Sequence, residues 1–290
     1  MVRLALGLMW LLHFLPLGAL AWAGRALGVL LYPLARERRQ VALTNLRLCF
    51  PELDAKARVQ IAKRHFQALT RSLIERGILW WASFDRIQRL VQVEGEEHLR
   101  AVENSPVILL MPHFVGFEMG AYRIGHGRPL ASMYSRQRSA GFDAAFLRGR
   151  MRFKNATLIS RQDGVRPVVR ALRSGLPLIY LPDMDFGPRD AVFVPFFGVQ
   201  AATITGLARL AAIAGAHVVP CITRQLPGGA GYVVRIYPAW ENFPGLDIAA
   251  DVRRMNAFIE ERVREMPEQY YWVHKRFKTR PPGEVSPYEH

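Results

Sequence analysis

Two residues stand out for the chemistry their types could do. His113 follows the apolar run Val107-Ile-Leu-Leu-Met-Pro112, and Glu118 lies five residues further on. An imidazole with one nitrogen held by a carboxylate has a fixed tautomer and a more basic second nitrogen. That second nitrogen can take a proton from a hydroxyl, a contribution of about 10²–10⁴ in rate. Inside one helix, five steps of about 100° would put the two side chains on different faces. The pair therefore needs His113 on a strand-to-loop junction and Glu118 in the first turn of the next helix. Taken alone the spacing is common, and a satisfied core histidine beside a solvated helix-start acid gives the same letters.

The surrounding pattern supplies those elements. Short apolar runs fall at 90–93, 106–111, 129–134, 156–159, 176–181, 217–223 and 232–237, with helix-like segments at about 96–104, 116–125, 140–152, 164–174, 203–215 and 248–266 between them. Alternation of this kind predicts an α/β domain on a largely buried sheet. His113 then sits just past the end of a buried strand, where α/β proteins place their sites. Ahead of the sheet, residues 35 to 50 read as a basic amphipathic helix. Asp54 is a natural N-cap for a long helix reaching Trp80.

From Leu4 to Gly24 the only polar side chain is His13, a run of about the length that crosses a bilayer. A second apolar stretch, Ala26 to Ala35, follows Arg25, and Arg36, Arg38 and Arg39 come next. Ala21-Trp22-Ala23 would suit a signal-peptide cleavage site. The basic cluster just downstream resists export, however, and the chain stays membrane-like beyond that point. The expectation is a retained membrane anchor over 1–34, a catalytic domain with its helical lead-in over 35–290, and a cytoplasmic location for the latter.

The 290-residue chain carries 39 Lys plus Arg against 24 Asp plus Glu, a net charge of +15, which favours anionic surfaces. Without zinc-finger spacing or an RNP-like string, nucleic acid is the weakest such partner, and none is expected. Cys49 and Cys221 stand far apart with no C-x-x-C pair, which fits a reduced compartment better than a disulfide framework.

Longer motifs narrow the choice. His113 and Glu118 match the H-x-x-x-x-[D/E] motif of the glycerolipid acyltransferase superfamily. Asn45-Leu-Arg-Leu-Cys-Phe-Pro-Glu52, Asp183-Met-Asp185-Phe-Gly-Pro-Arg189 with Val192-Phe-Val-Pro-Phe-Phe-Gly198, and above all Trp272-Val-His274-Lys-Arg276-Phe-Lys278-Thr-Arg280-Pro-Pro-Gly283 extend the match along the chain. In these segments the chain resembles the lipid A late acyltransferases, the lauroyl and myristoyl transferases of lipid A biosynthesis.

The resemblance implies an acyltransferase-type mixed sheet flanked by helices, with an N-terminal membrane helix. It implies transfer of a fatty acyl chain from an acyl carrier protein thioester to a hydroxyl of a lipid A precursor at the bacterial inner membrane. His113 would be the general base and Glu118 its orienting acid. No covalent acyl-enzyme is needed, in keeping with the lack of a G-x-S-x-G elbow, and no cofactor or metal is expected. Arg161 matches a family arginine and is a candidate for oxyanion or phosphate contact, although it could equally pair with Asp163. Tyr134 and Arg136 match a Tyr-Arg pair. Asp183 suits a structural or substrate-orienting role, and Phe193, Phe196 and Phe197 suit either core or an acyl pocket. Arg276, Lys278 and Arg280 beside Trp272 and Phe277 read as an interfacial, phosphate-contacting patch. Acylation of a lysophospholipid or aminolipid shares the same chemistry and is the alternative. A non-catalytic membrane scaffold and a secreted hydrolase are more remote ones.

Overall fold

The chain opens with two helices, α1 (Val2–Leu12) and α2 (Leu17–Leu34), in a computed structural model that describes residues 2–134, 140–152 and 156–289. The apolar run from Leu4 to Gly24 is thus divided between them. Pro16 cannot continue a helix as a donor and stands at the start of α2 with φ −56° and ψ 146°. The Arg86 guanidinium donates to the carbonyls of His13 and Leu15 in the break, satisfying groups that a helix end leaves open.

Two further helices follow, α3 (Arg36–Cys49) and α4 (Ala55–Trp81), the latter capped by Asp54, whose carboxylate accepts from Ala57 N at 2.6 Å. α2 lies along α4 at very short range. A Cβ on Gly24 would stand 2.4 Å from Arg71 Cα, and one on Gly28 would stand 2.5 Å from Gln67 Cα. Only glycine allows that approach. Leu17, Leu20 and Ala21 share this buried face, while Trp22, Val29, Leu30 and Leu34 turn outward, each at least 60% exposed. By length and composition α2 could cross a membrane.

The remaining elements are α5 (Phe84–Leu90), β1 (Val91–Glu94), α6 (Glu96–Arg100), β2 (Val107–Leu110), α7 (Phe117–Ile124), β3 (Leu130–Tyr134), α8 (Ala140–Met151), β4 (Ala156–Ser160), α9 (Arg166–Arg173), β5 (Leu178–Tyr180), β6 (Ala191–Phe196), β7 (Val199–Ile204), α10 (Gly206–Ala214), β8 (His217–Gln225), β9 (Tyr232–Ile236) and α11 (Ile248–Glu265). Seven strands form one mixed sheet in the order β1-β9-β8-β2-β5-β3-β4. All neighbours are parallel except β8 and β9. The seven apolar runs of the sequence are these seven strands. β6 and β7 make a separate antiparallel hairpin, turned at Phe197 and Gly198, both with positive φ.

Helices cover both faces of the sheet. Alternate residues of β2 join different apolar clusters: Ile108 and Leu110 pack with α3, α9, α10 and α11, and Val107 and Leu109 pack with Leu17, Leu20 and the end of α4. β2 is therefore buried on both sides, as central parallel strands are.

Candidate active site

Strand register delivers the central pair. β2 and β5 are parallel neighbours with Leu110 opposite Tyr180. His113 and Asp183 each lie three residues past those partners, so the two loops leave the sheet side by side. Asp183 Oδ1 lies 2.7 Å from His113 Nδ1, and Asp183 Oδ2 accepts from the His113 backbone N–H at 2.9 Å. Burial by itself would raise the Asp183 carboxyl, but the His113 imidazole and its hydrogen bonds outweigh that and hold it below the usual range. With Nδ1 engaged, Nε2 is the nitrogen left to meet a substrate.

Glu118 stands in the first turn of α7, as the spacing requires, but its side chain is directed elsewhere. Oε2 accepts from Arg76 Nε of α4 at 2.7 Å, and Oε1 pairs with Arg150 Nη2 of α8 at 3.0 Å. Burial pushes this carboxyl up, and the two guanidinium groups more than reverse it. Among the described residues the carboxylate on His113 is Asp183. The expected orienting role of Glu118 is corrected to that extent, because two cations reach Glu118 from the helices flanking α7.

A cavity of about 240 Å³ opens in front of His113, lined by Phe117, Tyr134, Arg150, Arg161, Tyr180 and Phe186 among others. The structure thus brings His113, Tyr134 and Arg161 together. Arg136 lies outside the described residues. The Arg161 guanidinium stands 3.9 Å over the Phe186 ring. Beside this cavity is a narrower apolar crevice of about 80 Å³. It shares Phe117, Arg150 and Ile179 with the first and runs on past Ala121, Leu130, Ser132, Ala156 and Leu158. Phe196 and Phe197 are core residues and Phe193 is partly exposed, and none of the three lines either space.

The C-terminal motif braces the site from behind. Asp185, two residues past Asp183, accepts from Thr279 N at 2.8 Å and Thr279 Oγ1 at 2.9 Å, and its own N–H donates to His274 Nε2 at 2.9 Å. Accepting that bond requires a neutral ring. Burial, then Arg276 and Lys278, lower the His274 pKa to about 4. Asn45 Nδ2 donates to the carbonyls of Trp272 and His274 at 2.7 and 2.8 Å, locking α3 to the same segment.

This overturns the interfacial reading of that motif. Trp272 and Phe277 are buried at 1% and 0% exposure. Arg276 is 3% exposed and donates to Ala202 O at 2.8 Å and Thr203 Oγ1 at 2.7 Å. Arg280 pairs with Glu284. Of the three cations only Lys278 is exposed. An arginine whose donors meet oxygen acceptors at these distances serves as a core strut rather than a headgroup contact. Sequence reasoning missed Arg76 and Arg150, for which no local motif exists.

The family model for bacterial lipid A biosynthesis acyltransferase matches residues 1–279. The lipid A biosynthesis lauroyltransferase of Escherichia coli K12 is 37% identical over 98% of this chain and 94% of its own. The palmitoleoyltransferase of the same organism is 33% identical over 98% and 92%, and its myristoyltransferase is 33% identical over 88% and 80%. A solved 1-acyl-sn-glycerophosphate acyltransferase from Thermotoga maritima overlays with a TM-score of 0.39 at 15% identity, covering 79% of this chain and 97% of that one. With a family model spanning all but its last residues and relatives matched nearly end to end, the chain belongs to the bacterial lipid A biosynthesis acyltransferases.

Proposed function

We propose that this protein moves a fatty acyl group from an acyl carrier protein thioester to a hydroxyl of a lipid A precursor, with His113 as general base. The observation that carries the reading is His113, held by Asp183, lining a cavity that shares Phe117, Arg150 and Ile179 with an apolar crevice beside it. Asp183 fixes the tautomer and supports the imidazolium that forms. His113 Nε2 takes the hydroxyl proton as the oxygen bonds to the thioester carbon. The carbon–sulfur bond then breaks, and the departing thiolate recovers the proton from Nε2 as a thiol. Arg150 and Arg161, both lining the cavity, supply positive charge where the carbonyl oxygen becomes an oxyanion. Glu118 serves this step by holding Arg150, with Arg76 completing the clamp. The acyl chain fits the crevice beyond Phe117, whose lining is mostly apolar.

Residues 1–34 act as a membrane anchor for the catalytic domain over 35–290, at the cytoplasmic face of the inner membrane. The exposed side chains Leu4, Leu8, Leu11, Phe14, Trp22, Val29, Leu30 and Leu34 form the face for lipid. Because α2 is packed along α4, which carries Arg64, Arg71, Glu75 and Arg76, the anchor lies in the plane of the interface rather than crossing the bilayer. Arg36 and Arg38, exposed just beyond α2, meet headgroup phosphates.

The test is turnover in mild detergent with radiolabelled acyl carrier protein thioesters of several chain lengths and a tetra-acylated, sugar-bearing lipid A precursor. Label on the precursor that disappears with His113→Ala is the expected result. Label on a lysophospholipid, and none on the precursor, would keep the chemistry and overturn the acceptor.

A further inference from the structure

α9 carries Arg166, Arg170 and Arg173 and no acid. At about 100° per residue these positions fall within an arc of roughly 60°, a single stripe along the helix. All three side chains are exposed, while Val168, Ala171 and Leu172 on the opposite side are buried in the core. Among the described residues none of the three forms an ion pair, and neither does Arg161. Arg173 Nη2 donates to Ile213 O at 2.7 Å, which fixes the far end of the stripe against α10.

The near end leads to the active site. Arg161 stands five residues before Arg166 and lines the cavity that holds His113. α9 packs on the sheet face shared with α10 and α11, where Tyr32 near the end of α2 also packs, whereas Leu17 and Leu20 at the start of α2 join the cluster on the other face. The stripe itself is open to solvent. Three exposed arginines on α9, with a fourth at the pocket five residues before them, suit a soluble anionic partner that delivers something into the pocket.

We propose that the α9 stripe is the docking surface for the acidic carrier protein that presents the acyl thioester. The proposal rests on the carrier-thioester donor described above and names where that donor lands. Docking on Arg166, Arg170 and Arg173 sets the carrier body beside the pocket, so that the arm bearing the thioester enters the cavity lined by Arg161. The stripe then governs encounter with the donor and leaves the chemical step to His113.

The experiment is steady-state kinetics of the full chain in detergent with the double variant Arg166→Glu/Arg170→Glu. Two donors are compared at fixed lipid acceptor: the acyl carrier protein thioester, and the same acyl group on a small pantetheine thioester without protein. The expected result is a KM for the carrier raised about tenfold or more at low salt, with kcat and small-donor turnover within about twofold of wild type. Salt should raise the wild-type carrier KM and leave that of the variant nearly flat. Arg166→Lys/Arg170→Lys keeps the charge and should behave as wild type. An unchanged carrier KM overturns the docking surface, as does an equal loss with both donors. A rise confined to the KM of the lipid acceptor would assign the stripe to headgroup phosphates instead. Wild-type protein that uses the small thioester but not the carrier would remove the donor reading itself, a result separate from any effect of the variants.

Discussion

Asp183 grips His113 twice, through the side-chain Nδ1 at 2.7 Å and the backbone N–H at 2.9 Å. Two contacts from one carboxylate fix both the ring and the loop that carries it, so the orientation of Nε2 does not depend on a single torsion. Parallel pairing of β2 with β5 creates this arrangement.

Asp183→Asn should therefore lower kcat by about 10²–10⁴ while the chain remains folded, since an amide can hold the loop but cannot stabilise the imidazolium. The pH profile of kcat/KM should move with it. Steady-state rates from pH 5 to 9 beside a melting curve check this. A rate near wild type would remove Asp183 from the mechanism.

Glu118→Gln should act differently. It leaves Arg76 and Arg150 facing each other with no intervening charge, at a cost of about 3 kcal/mol in stability for a group this enclosed. Activity should fall through displacement of Arg150, with the pH profile unmoved. In a background of Arg150→Met the same change should cost much less, and a double-mutant cycle of unfolding free energies and rates reads that coupling.

Acid should destabilise the folded chain through two buried histidines. His65 and His274 have pKa values lowered from 6.5 to about 4, chiefly by burial. Between those values the unfolded chain binds the protons and the folded chain does not, so stability falls as pH falls from about 6.5 to 4. The slope is about 1.4 kcal/mol per pH unit for each histidine. Asp183, held below the usual carboxyl range, adds a loss of the same sign at still lower pH. Urea unfolding at pH 7 and pH 5 measures the difference, and His65→Gln should shrink it.

Filling the crevice should shorten the acyl chain transferred. Ser132→Phe places a ring among Leu130, Ala156 and Leu158. Preference should shift toward donors shorter by about two to four carbons, each methylene counting for about 1–3 kcal/mol. Competition between carrier thioesters of graded length, read by mass spectrometry of the product, tests this.

Gly24→Leu should lift α2 from α4, because the new Cβ alone would stand 2.4 Å from Arg71 Cα. Overpacking of this kind costs about 1–3 kcal/mol or more. Faster proteolysis between α2 and α4 in detergent is the expected signature, with wild-type cleavage rates counting against it.

Much of this fold was legible because periodicity reports burial directly. The seven apolar runs, the Asp54 cap and the helix after His113 all follow from local pattern. What periodicity cannot report is which strands become neighbours. β5 enters the sheet beside β2 after α7, β3, α8, β4 and α9 have intervened, and only that insertion brings Asp183 to His113. Glu118 likewise finds its partners 42 and 32 residues away. Cations alternating with aromatics near the C-terminus look the same whether they coat an interface or thread a core. Acceptors on β7, invisible in the sequence around Arg276, decide for the core.

The bracing of the Asp183 loop by Trp272 to Thr279 also sets an order of events during synthesis. The apolar helices α1 and α2 leave the ribosome ahead of the sheet strands. His113 and Asp183 emerge later, yet Asp185 has no Thr279 or His274 to hold it until the end of the matched sequence has been translated. A ribosome stalled short of that segment would therefore leave the Asp183 loop without its brace.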